Sequence, residues 1–379
     1  MSIFEKKCKE PVKNIFCFIF CIFISISSVA LAGQSPRQVS MTIHINKIYN
    51  VNALNKTYSI DGYMVTKWQD DNVFPHLKLQ RGKNQISFEN QDIRDKLFEL
   101  YPAFWLPTLE FINVVNSRNI PNKRIVITKG LCQHTAKNTE SENSSCVMYN
   151  ERFNAIFYSN MDFKKFPFDE QFFLIKIEPF SKNNKSLVFV DSKQYTDIKN
   201  DTCPNINTDN SSEPLMVEFD VNCINNEVVD VPYPHLGDNV KFSRFTLKIR
   251  AKRISTFYFW QFILPLFLII GASWAVFWIK DFEPQLSTAF TLMLTVVAFS
   301  FSISTILPRL PYSSFLDSLV ILGYLSIFVT IIFIIANHFF VQKDNIRKYL
   351  FWVNLFRWLM PTLVTLMVLL LVLLFFLFD

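Results

Sequence analysis

The chain has 379 residues, half of them hydrophobic and 41 of them Phe, and its net charge of +6 comes from scattered Lys and Arg. Nucleic acid is not implied, because a phosphate-binding face needs clustered charge. Charged residues are concentrated before Arg253, which divides the chain into a polar part long enough for one folded domain and an apolar part suited to a membrane.

Residues 1–32 read as a secretory signal: Lys6, Lys7, Lys9 and Lys13 precede an apolar run over 15–26, and Ala30-Leu31-Ala32 stands before Gly33 as an A-x-A cleavage site. A short membrane anchor is the alternative. Export would place residues 33–253 in an oxidising compartment, where Cys132 with Cys146 and Cys203 with Cys223 are the local pairs. Four cysteines allow three pairings, and free thiols remain open.

From residue 40 to about 250 short alternating segments are broken by turn residues, as in Val39-Ser40-Met41-Thr42-Ile43-His44-Ile45. That spacing predicts an all-β, immunoglobulin-like sandwich, with one helical piece over 90–100. The Asn- and Ser-rich stretch between Cys132 and Cys146 reads as a long hairpin tip. Four apolar segments follow, at about 257–279, 284–307, 313–337 and 356–378, and each is long enough to cross a bilayer. They make residues 254–379 a four-helix membrane domain. Lys343, Arg347, Lys348 and Arg357, between the third and fourth segments, lie on its inner side by the positive-inside rule. Lys248, Arg250, Lys252 and Arg253, outside the first segment, run against that rule and need another role.

The second segment carries a stripe. At a helical period Ser287, Thr291, Leu294, Ala298, Phe301, Ser302 and Thr305 share about a third of the circumference, with Glu283 at the same angle one turn earlier. Ala289, Leu292, Met293, Val296, Phe299 and Ile303 lie opposite. Lipid offers no partner to a hydroxyl, so the first face should turn toward water or toward copies of itself. A bundle helix whose hydroxyls bond back to their own carbonyls is the alternative.

The segment Asp-Phe-Lys-Lys-Phe-Pro-Phe-Asp-Glu-Gln over 162–171, ahead of four membrane segments, resembles the pentameric ligand-gated ion channels. In animal members two Cys close this loop; Ser159 and Phe173 stand at the matching positions, as in the prokaryotic branch. The segments INKIYNVNALNKTYSIDGY, FWLPTLEFINVV, MDFKKFPFDEQFFLIKIEPFS and FTLMLTVVAFSFSISTILPRLPYSSFLD extend the likeness in the same order from Met41 through the third membrane segment.

That resemblance implies a homopentamer in the cell membrane, whose second membrane helices line a pore for monovalent cations. Glu283, Ser287, Thr291, Leu294, Ala298, Phe301 and Thr305 would face it, the acid attracting cations and the apolar rings closing the pore by dewetting. A small primary amine is the implied agonist. Glu110, Ile112, Glu178, Phe180, Tyr233 and Phe242 would surround it on one subunit, with Tyr63 and Asn150 on the neighbour. Two carboxylates and three aromatic rings suit an ammonium group. Phe166, Pro167 and Asp169 would press on Arg309 and Pro311 to couple the domains, with Asp169 ion-paired to Arg250 or Arg253. The hairpin between Tyr233 and Phe242 is shorter than in the prokaryotic branch it resembles, and the insertion from Cys132 to Cys146 has no counterpart there.

Catalysis finds no support in the sequence. His44, His76, His134, His235 and His338 are scattered, no HExxH, GxSxG or phosphate loop occurs, and no metal or cofactor is implied.

Overall fold

The computed structural model describes residues 35–73, 84–116, 118–132, 144–191, 215–237, 239–341 and 346–377. The signal segment, Cys203 and the tip of the hairpin beyond Cys132 lie outside the described residues.

Among the described residues ten strands form two sheets: β1 (Arg37–Asn52), β2 (Thr57–Gln69), β3 (Gln85–Glu89), β4 (Leu109–Phe111), β5 (Asn119–Lys129), β6 (Ser145–Tyr158), β7 (Glu170–Pro179), β8 (Leu187–Asp191), β9 (Phe219–Pro232) and β10 (Lys241–Arg253). The inner sheet runs β3-β5-β6-β2-β1-β8 and the outer one β4-β7-β10-β9. Strict alternation drives the packing. On β6 Val147, Tyr149, Phe153, Ala155 and Phe157 point inward; on β10 Phe245, Leu247, Ile249 and Ala251 meet them from the other sheet. Tyr58, Phe153, Phe157, Phe173 and Phe219 fill the space between the sheets, and the Tyr58 hydroxyl donates to the Leu174 carbonyl at 2.6 Å. Gly62 lets β1 and β2 close, since a Cβ there would stand 2.6 Å from the His44 carbonyl oxygen. The short helix over 93–100 caps one edge through Ile93 and Leu97. A disulfide joins Cys132 to Cys146, fastening the end of β5 to the start of β6, and Cys223 is also disulfide-bonded.

Four helices follow: α1 (Thr256–Trp278), α2 (Phe282–Ser304), α3 (Phe315–Val341) and α4 (Ile346–Leu377). Each has the length and hydropathy to span a bilayer. The fourth starts earlier than its apolar run, because Arg347 and Lys348 continue the helix into the polar region that hydropathy does not register. Arg357 donates to the Phe277 carbonyl at 3.0 and 3.2 Å, satisfying the end of α1 from α4. Ala289, Val296 and Ile303 of α2 are buried in the bundle, while Leu294 and Phe301 are exposed. Leu366, Leu369, Leu373 and their neighbours leave α4 apolar on its outside, as a lipid-facing helix requires.

Candidate functional site

Strand pairing in the outer sheet places a row of charges side by side. Glu110 on β4 pairs directly with Glu178 on β7, and Arg244 follows one step further in the β10–β7 register, across from Glu178. Two carboxylates directly opposite repel, and the guanidinium beside them relieves that repulsion. Arg244 Nε donates to Glu178 Oε1 at 2.5 Å, Tyr233 Oη donates to Glu178 Oε2 at 2.8 Å, and Arg244 Nη2 donates to Tyr233 Oη at 3.1 Å. Burial together with the bond to Glu178 raises the Tyr233 pKa. Burial also opposes the Arg244 charge, but its bonds to Glu178 outweigh this and raise its pKa.

The rings complete one wall. Tyr233 meets Phe242 edge to face at 5.4 Å across the short hairpin, and Phe180 stands exposed at the end of β7 with its amide bonded to the Thr108 carbonyl. Ile112 is exposed beside β4. A cavity of about 360 Å³ opens at Glu110 and Phe180 and reaches Tyr149, Glu151 and Arg118. Glu151 sits at a core-facing position of β6, accepts the Tyr149 hydroxyl at 2.6 Å and lies 3.3 Å from Arg118; its pKa is raised, burial being the main cause.

Tyr63 and Asn150 do not join this wall. They lie on the inner sheet, lining a separate concavity of about 320 Å³ with Lys123, Arg124 and Arg152. Within one chain the two sets are apart. The side-chain oxygen of Asn150 is buried without a hydrogen-bond partner.

On α2, Glu283, Ser287, Thr291, Leu294, Ala298, Phe301, Ser302 and Thr305 are all exposed, and Leu292, Met293 and Phe299 on the other side are partly buried against the bundle. Thr291 donates to the Ser287 carbonyl at 2.9 Å and Thr305 to the Ser302 carbonyl at 2.7 Å. These two hydroxyls bond back to the helix. Their oxygen lone pairs still face outward.

The loop between β6 and β7 meets the membrane helices. Asp169 is bound by Arg253 at 2.7 and 3.1 Å and by the Gln171 amide, and both members of the Arg–Asp pair are buried. Phe166, Phe219 and Tyr258 enclose the guanidinium at 5.0, 4.4 and 5.5 Å. Arg250 instead holds Glu170 at 2.6 and 2.8 Å on the surface. These partners account for Arg250 and Arg253, two of the four basic residues outside the first helix. Contact with the loop before α3 runs through Tyr312, which accepts the Phe163 amide and donates to Asp162, and through Phe315, 6.0 Å from Phe168. Pro167 follows Phe166 in this loop, while Arg309 and Pro311 are exposed next to Tyr312. Ser159 Oγ donates to the Phe172 carbonyl at 2.5 Å, a polar closure at the base of the loop.

Arg244 and Tyr258 make contacts here that the sequence reading did not single out, whereas Tyr312 belongs to the turn expected to meet this loop. Arg244 had a signal: it stands two positions after Phe242, hence on the same strand face.

An extracellular β-sandwich mounted on four membrane-crossing helices defines a multi-pass receptor with the architecture of a ligand-gated channel. The neurotransmitter-gated ion-channel ligand binding domain matches residues 29–244, and the chain belongs to that family of ion channels. It is similar to a proton-gated ion channel of Gloeobacter violaceus, 23% identical over 310 residues that cover 81% of this chain and 74% of that one. It is also similar to the gamma-aminobutyric acid receptor subunit beta-4 of Gallus gallus, 22% identical over 315 residues, and to a beta-like subunit of Drosophila melanogaster, 19% identical over 310. The chain spans 57% and 56% of those two animal proteins.

Proposed function

We propose that the chain assembles as a homopentamer and forms a cation channel opened by a small extracellular primary amine. The observation that carries this reading is the row Glu110–Glu178 on adjacent strands, bordered by the rings of Tyr233, Phe242 and Phe180. Carboxylates with aromatic faces attract an ammonium, each ring adding about 0.5 to 2 kcal/mol. Ile112 borders the same wall. Tyr63 and Asn150 meet it from the neighbouring subunit, where the unpartnered Asn150 oxygen accepts a donor.

In a ring of five, α2 turns Glu283, Ser287, Thr291, Leu294, Ala298, Phe301 and Thr305 to the axis. Hydroxyls that donate inward present only lone pairs to the lumen, which favours cations. Five Glu283 carboxylates at the inner mouth add to that preference. Agonist closure passes to the pore through Phe166, Pro167 and Asp169 onto the Tyr312 turn that also holds Arg309 and Pro311. The order of motifs resembles the Erwinia ligand-gated ion channel, which supports a bacterial inner-membrane location with the sandwich in the periplasm after removal of residues 1–32.

Purified protein in a planar bilayer tests this: primary amines on the sandwich side should evoke current, and Glu283→Gln should lower the preference for cations. An unchanged reversal potential in the variant would remove Glu283 from its role.

A further inference from the structure

The stripe of α2 begins at Glu283, and nothing in its own surroundings fixes that carboxylate. Glu283 is exposed and makes no hydrogen bond or ion pair among the described residues. Its place is therefore set by the backbone that carries it, the turn in which α1 ends and α2 starts. α1 closes with a 3-10 turn over Val276–Trp278, Ile279 is extended, and α2 starts at Phe282, so the last carbonyls of α1 look outside that helix for donors.

The other helices supply them. Arg357 of α4 donates from Nε and Nη2 to the Phe277 carbonyl at 3.2 and 3.0 Å, and its guanidinium lies 5.4 Å from the Trp278 ring. Gln285 of α2 donates to the Val276 carbonyl at 3.2 Å. Phe282, the residue before Glu283, stacks on His338 of α3 at 3.9 Å, and Phe277 meets Phe333 of α3 edge to face at 5.5 Å. Arg357 is half-buried, its remaining hydrogen bond goes to Asn354 Oδ1 in its own helix at 3.4 Å, and it makes no ion pair among the described residues. Its guanidinium is directed at a helix end.

We propose that Arg357 is a positioning residue for the inner mouth of the pore: together with Gln285 it fixes the α1–α2 turn that carries Glu283, so that a lipid-facing helix outside the pore lining sets how strongly the mouth prefers cations. The inference rests on the proposed pore and deepens it.

Val276 and Phe277 are buried, and a carbonyl left without a donor in such a place is unfavourable, so loss of Arg357 drives the turn to rearrange until Phe277 finds another partner. Glu283 lies six positions beyond Phe277 and moves with the turn. The attraction between five carboxylates and a passing cation falls with distance and with intervening water, so a wider or uneven ring prefers cations less. Gln285 makes the companion link without a charge of its own. It is half-buried against α1, off the exposed stripe that Glu283 begins.

The test reads the reversal potential of current evoked by primary amines in unequal salt, on wild type, Arg357→Met, Arg357→Lys and Gln285→Met. Arg357→Met and Gln285→Met should each lower the cation-to-anion permeability ratio by about threefold or more, and Arg357→Lys, which keeps a donor for the Phe277 carbonyl, should recover most of it. The sign separates position from charge, because deleting a positive charge near the mouth would by itself raise the ratio. An unchanged or raised ratio in Arg357→Met would overturn the proposal, as would assembled pentamers of that variant without evoked current, which would place Arg357 in opening and not in permeation. Should Arg357→Met fail to assemble, Gln285→Met decides by the same outcomes. If wild type gives no current, or Glu283→Gln leaves its reversal potential unchanged, the proposed pore falls and this inference with it; if Glu283→Gln shifts the potential and Arg357→Met does not, only the inference falls.

Discussion

Two arginine–carboxylate pairs in the same domain do opposite work. Arg253–Asp169, at the membrane end, has side-chain exposures of 3% and 2%, a second donor in Gln171 and three aromatic rings around the guanidinium. Arg244–Glu178, at the far end of the same strand β10, has exposures of 19% and 5% and lies beside the Tyr233 and Phe242 rings. A sealed pair cannot be entered by a ligand; this one closes the membrane end of the sandwich, where Arg253 also reaches Tyr258 at the start of α1. A pair open on one side can exchange partners. A third pair, Arg250–Glu170, is 50% and 31% exposed and sits in solvent, its arginine three positions before that of the sealed pair on β10. Burial, more than distance, separates the sealed, the half-open and the surface pair, because the Coulomb term grows as water is excluded.

Breaking the sealed pair gives the largest effect. Asp169→Asn leaves Arg253 buried without its anion and should cost about 3 to 5 kcal/mol, read as a fall in the thermal unfolding midpoint. A variant as stable as the parent would place this pair with the surface ones. At the open pair, Glu178→Gln and Phe180→Ala should each weaken activation by an amine-bearing agonist more than about tenfold, through loss of the counter-charge or of a ring. Unshifted concentration–response curves in both variants would move the ligand elsewhere. For the surface pair, Arg250→Gln should change stability by no more than about 1 kcal/mol. The hydrogen bond from Arg250 is the main cause that lowers the Glu170 pKa. Its small contribution is therefore present above the unfolded-state carboxylate pKa and is lost as pH falls through the lower folded value. The difference between Arg250→Gln and parent should vanish in acid; a difference that persists below the carboxylate range would point to packing instead.

Much of the architecture was legible because two periods carry it. A bilayer demands about 20 apolar residues per crossing, so the four helices stand out by composition alone. Alternation on β6 and β10 sorts inner from outer residues, and the burial follows it closely. The site was harder. Glu110 and Glu178 are far apart in sequence, and only the β4–β7 register makes them neighbours; resemblance to a family named them, while the chain pattern could not. Arg244 was missed although its strand position was readable, because its meaning depends on the partner across the sheet. Asp169 had two candidate partners one turn of alternation apart in consequence: Arg250 points to solvent and Arg253 inward, and inward burial of an arginine is not something alternation of polar and apolar residues predicts. Glu151 illustrates the same limit, an acid on the core face of β6 that pattern reading counts as an interruption.

The central claim is that amine binding on the sandwich opens a cation path along α2. Current through purified protein in a bilayer with unequal salt on its two sides, recorded while an amine-bearing agonist is applied to the sandwich side, tests it most directly. The account predicts agonist-evoked current that reverses near the cation equilibrium potential. Reversal at the anion potential, or silence from protein shown to be pentameric, would contradict it.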